Sequence, residues 1–180
     1  TAAVLQQGRS GEAEPMSARL AGAVRSGRHP ALGARARWVR ATTLLRTGQP
    51  ERSLAGLREA AALFARAGET EYVGVVRLLA ADAERTAGDR TAALRGLHLA
   101  LAVLRGRRGS VWLHNALYLC TRAVADEFPR AAGRVQDEGI VAAAATGLLG
   151  SVVEARLARG RLAVSAGHEA RADRELHEAE

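Results

Sequence analysis

His114 and Cys120 fall on one expected helix, and their spacing forbids the chemistry their types suggest. Six residues turn a helix through about 600°, which leaves the two side chains ~240° apart around the axis. No local thiolate-imidazole couple can form, and both read as structural. Cys120 is then expected to be a small buried hydrophobe. The remaining histidines, His29, His98, His168 and His177, supply no i, i+4 pair around a glutamate of the kind a zinc hydrolase needs. A single cysteine excludes an internal disulfide and a cysteine-based zinc site, and it fits a reducing compartment, so the cytoplasm is expected. Arg105, Gly106, Arg107, Arg108 and Gly109 form the one dense basic cluster. Its amides and guanidinium groups could meet a phosphate, but the Lys-Ser/Thr end of a P-loop is missing, and a solvated inter-helix turn is the better reading. No catalytic residue, cofactor or metal site is expected.

The elements that would position any site are helices. The chain has 180 residues, 48% hydrophobic but only 3% aromatic, and 40 alanines. Small side chains must therefore do the packing that aromatic rings do in many globular centres. All 26 basic residues are arginines; they are scattered and alternate with 19 carboxylates, which describes solvated helix faces more than a binding stripe. Two Trp, two Tyr and two Phe are too few for a base-stacking platform, which weakens nucleic-acid binding as a reading. The longest apolar run, 140–153, is interrupted by Thr146, Gly147, Gly150 and Ser151, and it is shorter than the roughly 20 residues that span a bilayer. The final residues stop inside a helical pattern, and the chain reads as a piece of a longer protein.

Gly8, Gly48 and Gly88 stand 40 residues apart, and the segment from Gly48 to Leu57 aligns with that from Gly88 to Leu97. Such a period marks stacked helical hairpins, each completing its neighbour's core. Residues 1–7 are expected to end a helix that stops at Gly8. Further helices are expected from Glu12 to Arg25 with Pro15 in the first turn, from Pro30 to about Thr47, from Pro50 to about Ala67, and from Glu71 to Ala87. Asp89 should cap the helix carrying Leu94, Leu97, Leu101 and Leu104. Ser110 should cap the next, Pro129 opens another, and Ser151 with Glu154 reads as a capping box for a helix to about Ala166. A last helix begins at Glu169. With no strand-like alternation, the fold expected is all-α, a single right-handed α-solenoid of antiparallel helix pairs over 1–180.

Around the turn glycines the residues resemble tetratricopeptide repeats. Gly48 goes with Ala41, Ser53, Leu57 and Ala60; Gly88 with Ala81, Ala93, Leu97 and Ala100; Gly167 with Gly160, Ala172, Leu176 and Ala179. Gly8 fits at Ala13 and Leu20 but meets Ser17 where a large apolar residue belongs. A fourth unit, turning near Glu127, is degenerate, with Ala132 in place but Gln136 and Gly139 in signature slots. The period exceeds the family's common ~34 residues, which implies longer helices, as in the tetratricopeptide-like arrays of bacterial signalling proteins.

The resemblance implies a concave face lined by Arg35, Trp38, Thr42, Leu45 and Arg46, then Val75, Leu78, Asp82 and Arg85, then His114, Leu117, Thr121 and Val124, and last Glu154, Leu157, Arg161 and Val164. Such a trough would suit a peptide with apolar anchors and an acidic group. The family's carboxylate clamp is not matched, because Trp38 and Leu78 stand where it wants a cation. A non-catalytic scaffold for a protein or peptide is the leading expectation, with homodimerisation through open ends as a further one. Two alternatives are the sensory or substrate-binding arm of a larger bacterial effector, of the caspase-like CHAT protease or ATPase/DNA-binding regulator type, and nucleic-acid binding through the arginines.

Overall fold

The computed structural model describes residues 10–24, 29–107 and 110–179, and all regular structure among them is helical. In chain order the helices are α1 (Ser10–Ala23), α2 (Pro30–Arg46), α3 (Pro50–Arg66), α4 (Thr70–Thr86), α5 (Arg90–Leu104), α6 (Leu113–Val124), α7 (Pro129–Ala144), α8 (Leu149–Ser165) and α9 (Glu169–His177). The expected turn at Gly8, and Arg25 at the expected end of α1, lie outside the described residues, as do Arg108 and Gly109.

The helix boundaries follow from proline and glycine. Pro30, Pro50 and Pro129 each occupy the first turn of a helix, where the missing N–H would have had no partner. Gly48, Gly68, Gly88, Gly147 and Gly167 all hold φ between +71° and +88°, the left-handed conformation that ends a helix at small cost only for glycine. After four of them the next amide reaches back five residues to close the helix end: Gln49 to Leu44 at 2.9 Å, Glu69 to Phe64 at 3.0 Å, Asp89 to Glu84 at 2.9 Å and His168 to Ala163 at 2.8 Å. Gly68 and Gly147 mark the turns between repeats, so the glycine rhythm runs at half the period read from the sequence. The Ala92 amide donates to Asp89 Oδ1 at 2.9 Å, which is the expected cap.

Three local expectations need correction. Pro15 lies inside α1 and not in its first turn, because the helix begins upstream at Ser10. Ser151 and Glu154 form no capping box. Helix α8 starts at Leu149, so Ser151 is already within its first turn, and Thr146 Oγ1 accepts the Leu148 amide at 3.1 Å just ahead of it. Ser110 does accept the Trp112 amide at 3.3 Å, but α6 itself begins at Leu113 without a side-chain cap.

The chain divides into two compact units, the first ending at Val103 and the second beginning at Leu104. In the first, α2 packs on α3 and α3 on α4 around Leu57, Phe64 and Val76, with alanines 34, 41, 60 and 83 filling the spaces between them. Leu57, Phe64, Ala60 and Ala83 are wholly buried. The signature slots are where the resemblance implies: Ala41, Ser53, Ala81, Ala93, Leu97 and Ala100 are all buried. Ser53 keeps its hydroxyl satisfied by donating to the Ala41 carbonyl at 2.8 Å. In the second unit α7 packs on α6, α8 on α7 and α9 on α8, over Leu104, Leu117, Ala132, Ala143 and Ala163, all wholly buried. Leu176, in the last signature set, is instead 45% exposed.

Candidate functional site

The five residues expected on α2 meet different fates, Leu45 packing against the core. Arg35 is committed within its own unit: Nη1 and Nη2 donate to Glu69 Oε1 and Oε2 at 2.9 and 2.8 Å, and the guanidinium lies 5.0 Å from the Tyr72 ring centre. The Glu69 carboxylate holds it firmly in its charged form. Trp38 packs edge-on to Phe64 at 6.2 Å and tilted against Tyr72 at 5.6 Å, so its ring belongs to the core edge. Thr42 is half-buried, and its hydroxyl has no hydrogen bond. Arg46 is exposed. On α4, Arg85 donates to Asp82 at 2.8 Å, so these two neutralise each other one turn apart. A cavity of ≈ 420 Å³ in this unit, between Ala41 and Gly56, is lined by none of the expected residues.

The second unit gathers them. Helices α6 and α8 flank a groove made of two adjoining cavities, ≈ 280 Å³ and ≈ 390 Å³, that share Tyr118, Ala158 and Arg161. His114 and Thr121 come from α6; Glu154, Leu157 and Arg161 come from α8; Gln136 reaches the groove from α7. The spacing 114, 118, 121 on one side and 154, 157, 161 on the other is the three-to-four step that keeps residues on one helix face. Leu117 is wholly buried in the core, and neither Val124 nor Val164 lines the groove. Tyr118 and Gln136 were not anticipated. Tyr118 is one turn beyond His114 and could have been found by the same period, whereas Gln136 registered only as a flaw in the repeat.

Three polar atoms at this groove are buried without a hydrogen bond: His114 Nδ1, Thr121 Oγ1 and Gln136 Oε1. Gln136 is 1% exposed, and its Nε2 donates to the Ala155 carbonyl at 2.8 Å, which fixes the amide and presents Oε1 as a free acceptor. A buried acceptor left unmet costs about 1–3 kcal/mol, a cost that a donor from outside would remove.

Burial pushes the His114 imidazole below its ordinary pKa, against the charge of Glu154. Below the ordinary imidazole range the unfolded chain takes up a proton that the native state refuses, so stability falls as the pH falls. Denaturation at pH values from about 7 to 5 should show that loss, and His114→Gln should flatten it; equal slopes would refute the assignment. Burial likewise raises the Cys120 thiol pKa, which keeps it protonated and unreactive, although the side chain is half-buried and not enclosed as expected.

The basic cluster is weaker than its sequence. Arg105 donates to both oxygens of Glu138 at 2.8 and 2.7 Å, which leaves Arg107 exposed beside it among the described residues. No group of acidic, histidine and cysteine side chains among the described residues could hold a metal ion, and no helix there is long and apolar enough to cross a membrane.

No protein-family model matches the sequence, and no curated protein matches it. Solved structures do match in shape. BtubC (BKLC) from P. vanneervenii superposes with a TM-score of 0.77 at 15% identity, over 98% of this chain and 74% of that one. A Podosopora anserina kinesin light chain with nearly identical TPR-like repeats gives 0.69 at 19% identity, over 98% and 88%. MamA gives 0.62 at 14% identity, over 98% and 90%. With the paired helices, the left-handed turn glycines and the buried small residues in their slots, these likenesses establish that the chain has the fold of a tetratricopeptide-like helical repeat protein.

Proposed function

We propose that this protein is a non-catalytic interaction scaffold, and that a peptide segment of a partner protein lies in the groove between α6 and α8. The observation that carries the reading is the pair of unmet buried atoms, Gln136 Oε1 and His114 Nδ1, on the wall of the ≈ 280 Å³ cavity. An extended peptide brings N–H donors to this wall, with Gln136 Oε1 lying beneath its surface. Leu157 offers an apolar contact, and Glu154 and Arg161 place opposite charges on the rim. Helical walls already fixed by core packing need little ordering when a ligand arrives, which favours affinity. The repeat fold supports the same reading, since stacked hairpins create extended surfaces for binding.

A random peptide library displayed on phage and selected on the purified protein tests this directly. Peptides enriched on the native protein should bind Glu154→Ala, Arg161→Ala about tenfold more weakly or worse, a change of ~1.4 kcal/mol, with helicity unchanged. Equal binding to both proteins would remove the groove as the site.

A further inference from the structure

A separate cavity of ≈ 750 Å³ in the second unit is lined from α7, α8 and α9. Its wall carries four guanidinium groups, from Arg130, Arg134, Arg159 and Arg171, against the carboxylates of Asp126 and Asp137. Asp137 is already engaged: it accepts from Arg159 Nε at 2.6 Å and from Arg171 Nη2 at 3.0 Å. Arg159 is the unusual member. Its side chain is only 8% exposed, yet among the described residues Nη1 and Nη2 have no hydrogen-bond partner, Nε alone being bonded.

The sequence makes room for this arrangement. Where a Cβ on Gly133 would stand, the Arg159 guanidinium lies at 3.2–3.6 Å, so any larger residue would press on it. Arg130 and Arg134 are exposed, one helical turn apart, and form no ion pair among the described residues. The first turn of α7, which supplies Arg130, carries neither a side-chain cap nor an acidic residue. Helix N-termini favour negative charge. Four guanidinium groups face the two lining carboxylates, and Arg171 also pairs with Glu175 at 3.9 Å, which leaves the cavity a net positive charge with Arg130 and Arg134 outside any ion pair among the described residues. That balance fits a phosphate monoester, which carries about −1.5 to −2 at neutral pH and offers three strong acceptor oxygens.

We infer that this cavity binds the dianion of a phosphate monoester, with the unmet Nη groups of Arg159 donating to its oxygens and Arg130 and Arg134 supplying the neutralising charge. The inference is independent of the peptide groove. Arginine suits the task because its planar fork matches phosphate oxygens and keeps its charge at any physiological pH.

Isothermal titration of the full chain with inorganic phosphate, glucose 6-phosphate and N-acetyl-O-phosphoserine amide provides the test. Saturable one-to-one binding is expected, weakened about tenfold or more in Arg130→Gln, Arg134→Gln, a variant whose exposed side chains leave folding unaffected, as circular dichroism should verify. Tighter binding of the sugar phosphate would identify a small metabolite as the source of the phosphate; tighter binding of the phosphoserine derivative would identify a phosphorylated protein. The inference is overturned if none of the three binds saturably, or if the double variant binds as well as the native chain.

Discussion

Phe64→Ala should destabilise the first unit by about 3–5 kcal/mol, the range found when a buried aromatic ring is truncated. Phe64 is wholly buried, stacks on Tyr72 with ring centres 5.1 Å apart, and meets Trp38 edge-on. In a chain with six aromatic residues, three of them meet here, so truncation strips Trp38 and Tyr72 of the ring they pack on and leaves a cavity among them and the surrounding alanines and leucines. The loss also reaches Arg35, whose guanidinium lies 5.7 Å from the Phe64 ring centre and 5.0 Å from that of Tyr72 while pairing with Glu69. Urea unfolding followed by far-ultraviolet dichroism measures the effect. Phe64→Leu, which keeps most of the volume, should lose much less. A loss below about 1 kcal/mol for the alanine variant would show that the ring is not the centre of this core.

The second large effect is expected at a residue with no side chain. A Cβ placed on Gly96 would stand 2.9 Å from the Ala81 Cβ, closer than real Cβ contacts come, and 3.4 Å from Glu84 Oε2. Ala81 cannot rotate out of the way because its methyl is fixed to the α4 backbone. Accommodation therefore requires α4 and α5 to separate, which empties the contact both helices exist to make. Gly96→Val should cost about 2–3 kcal/mol as overpacking. Gly150→Ala is the opposite case, with nothing within 4 Å of the added methyl at the start of α8. Replacing that flexible residue should gain about 0.5–1 kcal/mol. Thermal melts of the two variants should move in opposite directions; a Gly96→Val protein as stable as the parent would mean that the close approach is not maintained.

Much of the fold was legible because it is written in local terms. The leucines at 94, 97, 101 and 104 follow the helical step, and all but Leu94 are buried. Proline starts and glycine stops depend on one residue's own φ preference, so Pro30, Pro50, Gly48 and Gly88 declare themselves without reference to the rest of the chain. Ser151 misled for the same reason. A serine three residues before a glutamate is a local sign, but Leu149 had already entered the helix once Gly147 turned the chain. The α6/α8 groove was half legible: Glu154, Leu157 and Arg161 followed from register against Gly167, and His114 and Thr121 from register against the degenerate turn near Glu127. Contacts between distant residues left no such trace. Glu69 lies 34 residues from Arg35, and Asp137 lies 22 from Arg159 and 34 from Arg171. No periodicity reports which carboxylate a guanidinium will choose, so the residues committed to internal ion pairs could not be told from those free to meet a ligand.

Gln136 has a consequence for how such a chain avoids confusing its own parts. Hairpins with the same alanines and leucines in the same slots are nearly interchangeable, and a growing polypeptide, or two crowded copies, could pair the wrong ones with little loss of apolar contact. The wholly buried amide of Gln136 finds its acceptor at the Ala155 carbonyl, on the helix that follows in the chain. Against any other helix that donor would be stranded alongside an acceptor that already lacks a partner, an added cost of about 1–3 kcal/mol. Such a penalty falls on wrong pairings and spares the right one. The position that departs from the repeat therefore acts as an address, telling α7 which neighbour is its own.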